Sequence, residues 1–246
     1  MPRTLYLENI FPKKVGVFIP EHFQATAAID LIVYFHGHVK GICETDKAPF
    51  VKKGMEYYWD TPLFKCLRDE LDASKTNAIL IAPTLDPLIR SNSPASYGNL
   101  NAAGKLDFLI NKTLTQLKAD ETLPAAAETG NVILSGHSAG GLPMLMILET
   151  KNAIKPNIAE CWGFECLYFG TDGWNAWLKA NPNKKFKHFR EAGAQKEHID
   201  QLKGRSNFID IAKGPKHCKL LKERWREAID NSTVLKKAGG PVPPTS

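Results

Sequence analysis

Residues 136–140 read Gly-His-Ser-Ala-Gly, the pattern G-x-S-x-G. The pattern is common by chance, and its setting is what gives it chemical meaning. Val132-Ile133-Leu134-Ser135 runs into it as a strand, and Leu142–Glu149 leaves it as a helix. A nucleophile perched on such a bend needs neighbours without bulky side chains, a need that Gly136 and Gly140 meet. The bend lifts the Ser138 hydroxyl above the strand end, and the helix behind it aims free N–H groups and its positive dipole end at the same place. A serine so placed could attack an acyl carbonyl. The competing reading is a glycine-rich turn that holds phosphate, but the segment lacks both G-x-G-x-x-G and a Gly-Lys-Ser/Thr ending.

That attack needs a base, a carboxylate to orient the base, and two N–H donors for the developing oxyanion. One donor should be the N–H of Ala139, the residue after the nucleophile. An earlier apolar run, Asp30–Phe35, ends in His36-Gly37-His38. The Ser138 elbow, the His36-Gly37 pair and a late histidine together resemble the α/β-hydrolase superfamily, in particular bacterial esterase- or lipase-type hydrolases, from about Val15 to Ile229. The resemblance implies cleavage of a carboxylic ester through an acyl-enzyme on Ser138. It also implies a small-molecule or lipid ester as substrate, and neither metal nor organic cofactor. It assigns the second oxyanion donor to the backbone of His38, although the glycine-rich extension of some lipases is replaced here by Val39 and Lys40.

In the resembling fold the chain order is Ser, acid, His, with the base after the last strand. His217 fits, because it follows the apolar run Phe208–Ala212 and the turn Lys213–Lys216 and stands just before the final helix. Asp172, after the run ending Tyr168-Phe169-Gly170, is the expected acid; capping of the helix that follows is its alternative role. The family's more usual position lies one strand later, where Glu191 and Glu197 are the nearest carboxylates, so both stay open. Tyr57, Tyr58, Trp59 and His137 are candidates for contact with substrate, although the three aromatics would equally suit packing under a surface loop. An amidase, peptidase or acyltransferase would use the same residues, and a non-catalytic binding protein of this fold is the remaining class.

The elements that must position these groups are legible as hydrophobic runs. Leu5–Ile10 and Val15–Pro20 read as two short strands that pair across Pro12-Lys13-Lys14 in an N-terminal hairpin. Leu31–Phe35, Ala78–Pro83 and Asn131–Ser135 are continuous apolar runs, the mark of strands buried on both faces. Further strands are expected over Glu160–Phe169, Phe186–Ala192 and Asn207–Ala212. Helices are expected from Thr61-Pro62 to Leu71, over Lys105–Lys118, after Ser138, from Asp172 to Pro182, over Gln195–Leu202 and over Lys219–Ile229. Alternation of this kind predicts an α/β fold, a mostly parallel central sheet with helices on both faces, in a single domain with a flexible tail over 236–246. His38–Asp60 and Asp86–Gly104 read as long irregular connections on the catalytic face.

The chain has 246 residues, 43% of them hydrophobic, and a net charge of +6. That is enough for one sizeable core, and the charge reads as a solvated surface, with no nucleic-acid motif and no basic helix carrying interleaved aromatics. Five cysteines at irregular spacings favour reduced thiols over a disulfide framework. No stretch approaches the roughly 20 apolar residues of a membrane span. A soluble, cytoplasmic protein is therefore expected, with secretion through a leader removed upstream left open.

Overall fold

The computed structural model describes residues 1–39, 52–61 and 64–239. Eight strands make one sheet: β1 (Arg3–Leu7), β2 (Val15–Ile19), β3 (Ala28–Phe35), β4 (Ala78–Pro83), β5 (Glu128–His137), β6 (Ile158–Phe164), β7 (Lys185–Glu191) and β8 (Phe208–Gly214). Their spatial order is β1-β2-β4-β3-β5-β6-β7-β8. β1 and β2 pair antiparallel as the expected hairpin, β2 pairs antiparallel with β4, and every later pairing is parallel.

The helices are α1 (Met55–Asp60), α2 (Cys66–Ala73), α3 (Lys105–Ala119), α4 (Gly141–Glu149), α5 (Thr171–Ala180), α6 (Lys196–Leu202) and α7 (His217–Asp230). Side chains alternate across a strand, so each central strand feeds two cores. Leu31, Val33 and Phe35 of β3 meet Leu106, Leu109 and Ile110 of α3 and Leu142 of α4 in one core. Ile32 and Tyr34 meet Trp59 of α1, Leu67 of α2 and Leu221 and Trp225 of α7 in the other. Each fully buried side chain of this size stabilises the fold by about 1.5–3 kcal/mol, which is why the apolar runs of the central strands are continuous.

The chain leaves β3 toward β4 on one side and leaves β5 toward β6 on the other. A crevice opens at the carboxyl ends of two parallel strands where the winding reverses, and in open α/β sheets that crevice is where ligands bind. Here it lies between β3, which ends at Phe35, and β5, which ends at His137.

Several boundaries differ from the sequence reading. The strand expected to run to Phe169 stops at Phe164. The helix expected from Thr61 begins at Cys66, and Thr61 instead closes α1; Pro62 lies outside the described residues. The tail is tied down through residue 238: Asn77 N–H donates to Lys236 O at 2.8 Å, and Ala238 N–H donates to Lys75 O at 2.7 Å. Residues 240–246 lie outside the described residues. Cys161 and Cys166 are buried free thiols, but Cys218 is disulfide-bonded, against the preference for reduced thiols. No helix among the described residues is long and apolar enough to cross a membrane.

Candidate active site

Ser138 follows the last residue of β5 and opens a 3-10 turn, Ser138–Gly140, that runs directly into α4. Its φ is +53°, in the left-handed region that residues with a Cβ rarely occupy. Strain of this kind persists only where packing enforces it. Gly37 shows the enforcement. A Cβ there would lie 2.7 Å from Ser138 Cβ and 3.4 Å from its Oγ, so the loop after β3 presses against the nucleophile candidate. On the other side, a Cβ on Gly141 would fall 2.8 Å from Cys166 Cβ, so α4 starts in contact with the turn that ends β6.

The loop after β3 is pinned by its own histidines. His36 is fully buried; its Nδ1–H donates to Gly37 O at 2.7 Å, and its Nε2 accepts from Leu85 N–H at 2.9 Å. His38 Nε2–H donates to Ile89 O at 2.8 Å, and Val39 N–H donates to Pro87 O at 3.0 Å. The backbone of His38 is thereby fixed beside the elbow. Tyr58 stacks on Phe64 with ring centroids 3.9 Å apart, lies 5.1 Å from the His36 ring, and shares a 3.1 Å hydrogen bond with the Tyr34 hydroxyl. Tyr58 and Trp59 are core residues, not pocket walls, because the turns of α1 face the sheet; Tyr57 packs against the same core half-buried. Burial of Tyr58 and Trp59 matches the packing alternative for those two, while Tyr57 keeps part of its surface open.

His217 is the first residue of α7, one position inside the helix expected to follow it. Trp225 anchors that helix: its ring lies 5.7 Å from Trp162 and 5.9 Å from Tyr34, and its Nε1–H donates to Leu67 O at 3.1 Å. The His217 ring lies 4.6 Å from the ring of His137, the residue before Ser138, and His137 Nε2–H donates to His217 O at 3.2 Å. His137 is buried and braces the start of α7 through that hydrogen bond.

The carboxylate that meets His217 is Glu165, with Nδ1–H donating to Oε2. Asp172 is exposed in the first turn of α5, and Glu191 and Glu197 are exposed as well. Glu165 was missed because it sits one residue beyond β6 inside what reads as one apolar run. The signal was available: an acidic residue within Phe164–Phe169 must find a buried partner. Its φ is +48°, which breaks the strand and turns the side chain toward α7. Glu165 N–H donates to Phe189 O at 2.8 Å, and Oε1 accepts from Glu191 N–H at 3.2 Å. Behind the turn, His188 Nε2 accepts from Cys166 N–H at 3.4 Å, while its Nδ1 faces Asp210 Oδ1 at 3.8 Å; Arg190 holds that aspartate with two 2.8 Å bonds.

Burial works to raise the Glu165 carboxyl, but hydrogen bonds from His217 and the Glu191 N–H, with the charge of His217, outweigh it and hold the group below the usual carboxylate range. The His217–Glu165 pair thus lies against His137, the residue before Ser138. Among the described residues no hydrogen bond joins Ser138 Oγ to His217.

Burial pushes His36 down to about 4 and His137 down to about 3, the latter helped by the neighbouring His217; burial also lowers His188. The unfolded chain protonates these rings near pH 6.5, and the folded chain does so only at lower pH. Between those values the unfolded state binds more protons, so stability falls as pH falls. Glu165 acts in the same direction in a lower window: its contribution is complete above the ordinary carboxylate range and is lost as pH drops through its lowered value. Denaturant titrations should therefore show unfolding free energy dropping by roughly 3 kcal/mol between pH 6.5 and 5 from His36 and His137 alone. A flat profile over that range would contradict burial of neutral rings.

No family model matches the sequence, and no curated protein matches it. Solved structures do match. Est1E from Butyrivibrio proteoclasticus is 11% identical, with a TM-score of 0.50 over 92% of this chain and 95% of that one. An uncharacterised protein from Capnocytophaga ochracea DSM 7271 is 10% identical, with a TM-score of 0.52 over 94% of this chain and 63% of that one. The fold is the α/β-hydrolase fold.

Proposed function

We propose that this α/β-hydrolase-fold protein is a serine hydrolase that cleaves carboxylic esters through an acyl-enzyme on Ser138. The observation that carries the reading is the His217–Glu165 pair, packed against the residue that precedes a serine in a strained strand-to-helix bend. Glu165 fixes the tautomer with the proton on Nδ1, which leaves Nε2 free to act as a base. His217 takes the Ser138 proton as Oγ attacks the ester carbonyl. The N–H groups of Ala139 and His38 hold the oxyanion, each such donor being worth about 10²–10³ in rate. His217 then protonates the leaving alcohol, and a water activated by the same ring releases the acid.

The test is a rate panel that pairs p-nitrophenyl acetate and butyrate with the corresponding anilides and a peptide amide. Turnover of the esters well above the amides is expected. An amide or peptide preference would replace the substrate class, and no turnover of any ester would overturn the reading.

A further inference from the structure

Among the described residues, five large hydrophobic side chains stand more than a third exposed: Met1, Phe108, Tyr168, Phe169 and Ile209. Only Tyr168 and Phe169 are neighbours, exposed by 43% and 48%, and they lie on the connection from Glu165 to α5. The Tyr168 ring meets the His217 ring edge to face, with centroids 6.5 Å apart and planes at 71°.

Two adjacent half-exposed rings make a small apolar surface beside the His217 ring, and the connection that carries them is held on both sides. On one side, Leu167 N–H donates to Gln195 Oε1 at 3.2 Å. On the other, Thr171 opens α5 and its hydroxyl shares a 2.8 Å hydrogen bond with His198 Nδ1. Gly170, with φ at +65°, lets the chain turn into the helix directly after the pair.

The chemistry assigns the side of the substrate that this platform meets. The acyl half becomes bonded to Ser138 Oγ and points its oxygen toward Ala139 and the loop at Gly37-His38. The alcohol half must bring its oxygen to His217, because that ring supplies the proton on departure. Whatever borders His217 therefore borders the alcohol.

We infer that Tyr168 and Phe169 form an apolar platform for the alcohol half of the ester, so that the preferred substrates are esters of apolar alcohols of several carbons. This rests on the reading of Ser138 and His217 as nucleophile and base. A platform that covers methylenes should raise kcat/KM by about two- to fourfold for each one it buries.

Two series separate the halves of the substrate: acetates of methanol, butanol and hexanol, and methyl esters of acetic, butanoic and hexanoic acids. In the parent protein the hexyl-to-methyl ratio of kcat/KM in the alcohol series is expected to reach about 10- to 50-fold. In Tyr168→Ser/Phe169→Ser that ratio should fall to within about threefold, while the ratio along the acyl series keeps its parent value. A flat alcohol series in the parent, a double variant that keeps the ratio, or a change confined to the acyl series would each overturn the platform. The parent series decides even if the variant folds poorly, which a thermal melt reports. Absence of turnover on every ester would instead sink the hydrolase reading on which the platform depends.

Discussion

Ser138→Ala is expected to lower kcat on an activated acetate ester by about 10⁵- to 10⁶-fold, the scale seen when the nucleophile of a triad is removed. The loss should appear in kcat, because the hydroxyl forms the bond that defines the reaction and contributes little to ground-state binding. A residual rate above that in water should survive, since the oxyanion donors are backbone N–H groups that the substitution leaves in place. The fold should survive as well. Ser138 makes no side-chain hydrogen bond among the described residues, and alanine meets the same cost at a φ of +53° as serine does. Steady-state kinetics and a thermal melt on the same preparation separate the two effects. A variant that unfolds, or that retains more than about one per cent of parental kcat, contradicts the assignment.

Glu165→Gln is expected to lower kcat by about 10³- to 10⁴-fold, and Asp172→Asn by less than twofold. The substitution at 165 preserves shape and removes charge. An amide facing His217 Nδ1 either offers an oxygen that still accepts but no longer stabilises the imidazolium, or offers an N–H that forces the other tautomer and occupies Nε2 with the proton. Asp172 is exposed in the first turn of α5, so its charge is worth at most the helix-dipole term of about 0.3–1 kcal/mol in stability. Glu191→Gln and Glu197→Gln should resemble Asp172→Asn, since both carboxylates point to solvent. Near-parental turnover of Glu165→Gln, with a large loss in any of the other three, would transfer the role of the acid.

The contrast between Glu165 and Asp172 shows where the sequence is legible. β3, β4 and β5 stand out because strands covered on both faces need apolar residues at every position, and Ser138 stands out because glycines must flank so tight a bend. His217 follows from chain order. The carboxylate that meets it does not, because hydropathy cannot show where ladder pairing stops. Phe164 is paired with Phe189 and Glu165 is past the end of the strand, yet the residues through Phe169 continue the same apolar run. What distinguishes Glu165 from Glu160, the other acid in that run, is which end of the strand it occupies. Glu160 is buried at the far end, where it pairs with Lys187 at 2.9 Å and accepts from Thr233. Tyr58 and Trp59 read as part of an irregular loop for a related reason: a short helix with aromatics on one face looks like an aromatic loop when partners such as Tyr34 and Tyr6 are distant in sequence. The bonded state of Cys218 was hidden by an odd cysteine count.

Covalent labelling with a fluorophosphonate probe, followed by peptide mapping, tests the nucleophile without reference to any substrate. One adduct is expected per chain, on the peptide that carries Ser138, with labelling slowed at least a hundredfold in Glu165→Gln and absent in Ser138→Ala. An adduct on another residue, or labelling of Ser138→Ala at the parental rate, would contradict a serine nucleophile at the end of β5.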